Sequence, residues 1–135
     1  MIILTEATDT LQAVLAAAIT TNQLQCFSCW RDITVTPTYT PGRSGINTNN
    51  TTDVNLVAAP AASTQRVVDL VNIYNRDTVV ATVTVKMDLN GTEYILWKGM
   101  LDTGETLFYA DGKGWGITGS GLVYPQPVSF YRNGY

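Results

Sequence analysis

Residues 78–101, TVVATVTVKMDLNGTEYILWKGML, decide the fold. Val79, Ala81, Val83, Val85, Met87 and Leu89 alternate with Val80, Thr82, Thr84, Lys86 and Asp88, the period of a strand with one face inward and one face wet. Asn90-Gly91 follows, and this dipeptide supplies the positive φ angles of a two-residue hairpin turn. Tyr94 to Leu101 then returns with apolar residues on both faces, which predicts a central or interface strand.

The same grammar continues on either side. RVVDLVNIYN (66–75) and ETLFYA (105–110) are rich in β-branched and aromatic residues, which suit a pleated, half-buried surface, and Trp115 to Ile117 completes the set. Asn75-Arg76-Asp77, Asp102-Thr103-Gly104 and Asp111-Gly112-Lys113-Gly114 separate these runs as turns. Strands recurring about every ten residues with turn signals between them predict an all-β, antiparallel β-sandwich or a jelly-roll-like fold.

The N-terminal half is less regular. Ile2 to Leu4 reads as a short strand or an extended arm. In Thr10 to Ala18, Leu11, Val14, Leu15 and Ala18 have helical spacing, but the neighbouring context favours a strand. Thr20-Thr21-Asn22 is a polar turn. Leu24 to Thr36 reads as a long strand with Phe27, Cys29, Arg31, Ile33 and Val35 on one face and Leu24, Cys26, Ser28, Trp30 and Asp32 on the other. The first face is the more apolar in its second half, and Trp30 is expected to be half-covered. Pro37 to Thr52 is a loop or a long hairpin arm that ends in the polar tract Asn47 to Thr52, and Asp53 to Ala58 is a short strand. From Gly119 to Tyr135 the character changes. Tyr124-Pro125-Gln126-Pro127 is extended because proline restricts itself and its predecessor, and Phe130, Tyr131 and Tyr135 place aromatics beyond it. The expected organisation is a sandwich domain over 1–118 with a short N-terminal arm, and an aromatic tail over 119–135.

Composition excludes several classes. A chain of 135 residues fits one domain and needs no metal or disulfide to fold. Only 14% of residues are charged, and the net charge is −3. The eight Lys and Arg are scattered, so no patch exists to neutralise phosphates and no nucleic acid is expected as a partner. The apolar run Ala13 to Ile19 falls far short of the ~20 residues of a spanning helix, so no membrane is expected either. The start Met1-Ile2-Ile3-Leu4 lacks a basic region and does not read as a signal peptide, which points to synthesis in a cytoplasm.

Chemistry is equally sparse. The chain has no histidine, which removes the commonest general base and most zinc and iron sites. Cys26-Phe27-Ser28-Cys29 has the spacing of a redox or zinc pair, but on a strand residues three apart point to opposite faces, so two free cysteines are expected. Asp88, Asn90 and Glu93 alternate as calcium ligands would, yet the twelve-residue loop pattern is missing; these residues, Asp102 with Glu105, and Asp111 read as turn formers. Trp30, Trp97 and Trp115 could form a carbohydrate platform, although core packing and subunit contact are the better reading for such rings. No catalytic residue, cofactor or metal site is expected, and the chain reads as non-enzymatic.

The run VNIYNRDTVVATVTVKMDLNGTEYILWKGMLDTGETLFYADGKGWGI (71–117), preceded by LQAVLAAAITTNQLQCFSCWRDI (11–33) and NTTDVNLVAAPAA (50–62), resembles small β-sandwich virion structural proteins of tailed bacteriophages. The likeness lies in the order of strands and turns and covers about residues 9–117. It implies a decoration or cement protein that binds the major capsid protein or another virion protein, made in the bacterial host cytoplasm and carried on the virion. It implies a homo-oligomer, with a trimer favoured. A neck, baseplate or tail-fibre adaptor and a host-receptor or carbohydrate-binding module are the alternatives. Ile2, Ile3 and Leu4 of the arm, Trp30, and Tyr124, Pro125, Phe130, Tyr131 and Tyr135 of the tail are the expected partner-binding residues.

Overall fold

The computed structural model describes residues 1–36 and 38–119. Among these residues ten strands follow in chain order: β1 (Ile2–Leu4), β2 (Asp9–Leu15), β3 (Gln25–Thr34), β4 (Tyr39–Asn47), β5 (Val54–Val57), β6 (Thr64–Tyr74), β7 (Ala81–Leu89), β8 (Thr92–Leu101), β9 (Thr106–Ala110) and β10 (Gly114–Thr118). They form two antiparallel sheets. One has the order β10-β9-β6-β3-β4, with β1 pairing to β6 beyond the end of β9; the other has the order β5-β2-β7-β8. The two sheets pack face to face as a β-sandwich, as the alternation in residues 78–101 predicts.

The core is the set of inward residues from both sheets. Leu11, Ala13 and Leu15 of β2 meet Val83, Val85 and Met87 of β7 in one sheet; Leu4, Val68, Val71, Ile73, Leu107 and Tyr109 face them from the other. Each large side chain removed from water here stabilises the fold by roughly 2 kcal/mol. The Asn90-Gly91 turn has φ of 53° and 91°, so the dipeptide does what its chemistry requires.

Four regions refine or correct the expectations. Residues 9–15 are strand, so the helical spacing is overridden by pairing with β5 and β7. Of the two readings of 37–52, the hairpin arm is the one adopted, because β4 pairs along nearly the whole of β3. On β3 the face that turns inward is that of Leu24, Cys26 and Ser28, while Phe27, Ile33 and Val35 are exposed. Small side chains on that face leave room for β5, whose Leu56 carbonyl accepts a hydrogen bond from Ser28 Oγ at 2.6 Å. Finally, residues 2–4 are not an extended arm. They pair with Arg66, Val67 and Val68 of β6, and Ile2 and Leu4 are buried in the core.

Two polar knots hold the connections. Asn75 is fully buried; its Nδ2 donates to the carbonyls of Val79 and Leu101, both at 2.9 Å, and its Oδ1 accepts from the Asp77 amide. Asp77 is buried too, and its carboxylate accepts from the consecutive amides of Thr20, Thr21 and Asn22 at 3.2, 3.0 and 2.9 Å. The Asn22 amide foremost, with those of Thr78, Thr20 and Thr21, holds the Asp77 carboxyl below its ordinary range against the opposing pull of burial. In the second knot, Gln23 Oε1 accepts from Thr48 Oγ1 and the Asn50 amide, and Gln23 Nε2 donates to Asn50 Oδ1 at 2.8 Å. Both knots grip the segment 19–24, which has few apolar side chains to hold it.

Candidate interaction surface

Strand edges are where a sandwich is vulnerable, because an unpaired edge presents free N–H and C=O groups to any extended chain. Three edge strands here carry a glycine covered by an aromatic ring. A Cβ at Gly42 on β4 would collide with the Trp30 indole across the hairpin; one at Gly116 on β10 would lie 2.6 Å from Phe108 Cζ; one at Gly99 on β8 would lie 2.8 Å from Trp97 Cη2. The ring shields backbone that glycine leaves bare.

Strand β8 differs from the others in what else it exposes. Tyr94, Ile95 and Met100 are 54%, 63% and 66% exposed, Leu96 is at the surface beside them, and Val79 and Val80 just before β7 are exposed as well. Among the described residues its backbone pairs with β7 on one side only. The register with β7 fixes the faces: Ile95, Lys98 and Met100 lie beside Lys86, Thr84 and Thr82 on the outer face, while Tyr94, Trp97 and Gly99 lie beside Met87, Val85 and Val83 on the inner face. Between Ile95 and Trp97 the register shifts by one, so Leu96 is the extra residue of a β-bulge. Of the two readings of 94–101, central or interface strand, the central one does not hold among the described residues. Both faces are apolar, but the strand is an edge.

Electrostatics pin this edge from one side. Lys86 Nζ lies 2.9 Å from Asp53 Oδ1 and 2.9 Å from Glu93 Oε2, joining β7 to β8 and to the residue ahead of β5. Burial pulls the Lys86 ammonium down, but hydrogen bonds to Glu93 and Asp53 outweigh it and hold it above its ordinary value. Among the described residues no group of three His, Cys, Asp or Glu side chains is placed to hold a metal.

The expected partner-binding residues are dispersed. Ile2 and Leu4 are core residues and unavailable to a partner, because pairing with β6 turns both inward; Ile3, between them, is at the surface. Trp30 is half-buried, with the Arg66 guanidinium 4.6 Å from its ring centroid and Arg66 in turn paired to Asp32 at 2.7 Å. Trp97 and Trp115 are likewise partly buried and pack on the core, Trp115 with its ring centroid 5.1 Å from that of Tyr109. Tyr124, Pro125, Phe130, Tyr131 and Tyr135 lie outside the described residues.

The remaining candidates resolve simply. Cys26 is buried, with its thiol pushed up to about 12 by burial, and Cys29 on the opposite face is raised by burial and by Asp69; both are free. Asp88 Oδ1 accepts from the Gly91 amide at 2.7 Å, and Glu105 Oε1 accepts from the Asp102 amide at 2.8 Å, as turn formers do. Asp111 does more than form a turn. It meets Arg31 at 3.3 Å and the N-terminal ammonium at 3.7 Å, and Arg31 also pairs with Asp69.

No family model matches the chain, and no curated protein or solved structure is significantly similar to it. The surface itself must therefore carry the functional reading. The run Tyr94 to Leu101, with apolar side chains on both faces, carries the signal of an interface strand in the sequence, although none of the expected partner-binding residues lies in it.

Proposed function

We propose that this chain is a non-enzymatic structural subunit of a bacteriophage virion, one that decorates or cements the capsid by binding the major capsid protein as an oligomer. The observation that carries the assembly role is β8, a ten-residue edge that exposes Tyr94, Ile95, Leu96 and Met100 together. A soluble monomer normally blunts such an edge with charge or covers it, so an edge left apolar and open marks a contact surface. The likeness of residues 9–117 to phage virion modules supplies the class of particle.

The mechanism is burial of surface. A stable contact removes roughly 800 Å² per partner from water, with aromatic side chains as the usual anchors, and Tyr94 and Trp97 occupy that position on β8. The low charge of the chain suits a subunit enclosed by others. A carbohydrate-binding role draws no support from the tryptophans, which are partly buried and packed against the core.

Quantitative mass spectrometry of purified particles tests the reading. Copies in the hundreds per particle are expected for a capsid decoration protein. A number of about a dozen or fewer replaces it with a neck, baseplate or tail-fibre adaptor at a symmetry axis. Absence from particles that otherwise assemble removes the virion role.

A further inference from the structure

The free edge of β8 is self-complementary, and we infer that it pairs antiparallel with β8 of a second copy about a two-fold axis at Ile95. The register with β7 serves as a ruler. Ile95 lies opposite Lys86; Tyr94 and Trp97 lie opposite Met87 and Val85, one position to either side. Glu93 and Lys98 lie opposite Asp88 and Thr84, two positions to either side, and Thr92 and Gly99 lie opposite Leu89 and Val83, three positions away. A two-fold axis at Ile95 therefore sets Glu93 of each copy against Lys98 of the other on the outer face. It sets Tyr94 against Trp97 on the inner face and the two Ile95 side chains against each other.

The bulge is what produces this match. Were Leu96 an ordinary paired residue and not a bulge, Lys98 would fall three positions from Ile95, on the face opposite to Glu93, and the charges would not meet. Bulges and edge lysines ordinarily discourage edge pairing. Here the bulge aligns opposite charges, and the neighbouring Ile95 and Tyr94 remain more than half exposed. Cross-strand pairs of opposite charge and of aromatic rings are the units that stabilise an antiparallel ladder. The contact joins two four-stranded sheets into one of eight strands. Being isologous, it closes at two copies, so the assembly is a dimer and not the trimer implied by resemblance. The inference rests on β8 being an assembly surface, not on which particle uses it.

The full chain, measured by light scattering after size exclusion, is expected to double in mass at about 10–100 µM, the range suited to a contact at the small end of interface size. Ile95→Lys places two ammonium groups at the axis and is expected to keep the chain monomeric with an unchanged circular dichroism spectrum. Should that variant fail to fold, Lys98→Glu, which sets like charges opposite each other, is expected to weaken association about tenfold. In a Cys29→Ser background, Ile95→Cys is expected to form a disulfide-linked dimer on oxidation, since directly opposed residues have Cα atoms about 4.5–5.5 Å apart. Met100→Cys is expected not to, because its mate would lie eight positions away, about 26 Å.

A monomer throughout this concentration range overturns the inference. If removal of residues 120–135 then creates a dimer, the occupant of β8 is this chain's own C-terminal segment, and the inference is overturned in that direction. Cross-linking through Met100→Cys as readily as through Ile95→Cys overturns the register. These measurements use the isolated protein, so their failure is separable from that of the virion role, which is decided by particle composition.

Discussion

The two edges of the four-stranded sheet are built on opposite plans. Strand β5 at one edge is four residues long, buries Leu56 and Val57, and is held from the facing sheet by the Ser28 hydroxyl. Strand β8 at the other edge is ten residues long and leaves its apolar side chains in water along most of its length. On its β7 side it is held by Leu101 and the partly buried Trp97 on the core and by Glu93 paired to Lys86. The first edge is finished within the chain, and the second, among the described residues, is left open. The physical difference is in the neighbours: β5 also meets β3 and β4 of the facing sheet, whereas β8 is flanked by tight turns at Asn90-Gly91 and at residues 102–105.

The sharpest way to break the contrast is to release the end of β8. Asn75→Ala strips the donors from the carbonyls of Val79 and Leu101 and the acceptor from the Asp77 amide. Unpaired buried groups cost about 1–3 kcal/mol each, so a loss of about 4 kcal/mol in urea unfolding is expected. Leu56→Ala opens a cavity at the finished edge and is expected to cost about 3 kcal/mol by the same measurement. An equally large loss from truncating Ile95 in dilute, monomeric protein would erase the distinction between the edges.

The knot at Asp77 gives the comparison a pH dependence. Its folded carboxyl sits below its ordinary value, so the stabilisation it provides is complete above the unfolded value of about 3.9 and is lost as pH falls through the lower, folded value. Thermal melts of the parent should therefore fall more steeply below about pH 4 than those of Asp77→Asn, which is less stable at neutral pH but flatter in acid. Parallel curves for the two proteins would remove Asp77 as the source. The smallest effect is expected on the open edge. Ile95→Lys in dilute monomer should shift stability by less than about 0.5 kcal/mol, because the side chain already stands in water.

Much of this architecture is legible in the sequence. The alternation of residues 79–89, the Asn90-Gly91 turn and the spacing of β6, β9 and β10 state a local rule at each position, and local rules agree with the fold there. The N-terminal half is harder to read. Tyr39 to Asn47 contains Pro41, Gly42 and Gly45 and has little strand propensity of its own; it is a strand because β3 pairs with it and Trp30 covers Gly42. The tract Asn47 to Thr52 looks like solvated loop, yet Thr48 is buried and Asn50 is the hub of a hydrogen-bond knot. No periodicity marks such residues, since their partners lie 24 to 31 positions away.

By itself, then, the sequence determined that the chain is all-β, which runs are strands in residues 66–117, and that Cys26 and Cys29 are separated. These follow from side-chain alternation and turn chemistry, which act over a few residues. Only the tertiary structure decided that Ile2 and Leu4 are core, that the small-residue face of β3 turns inward, and that β8 is an edge. Those outcomes depend on which strands become neighbours. A strand with two apolar faces satisfies local rules equally well in the middle of a sheet or at its open end.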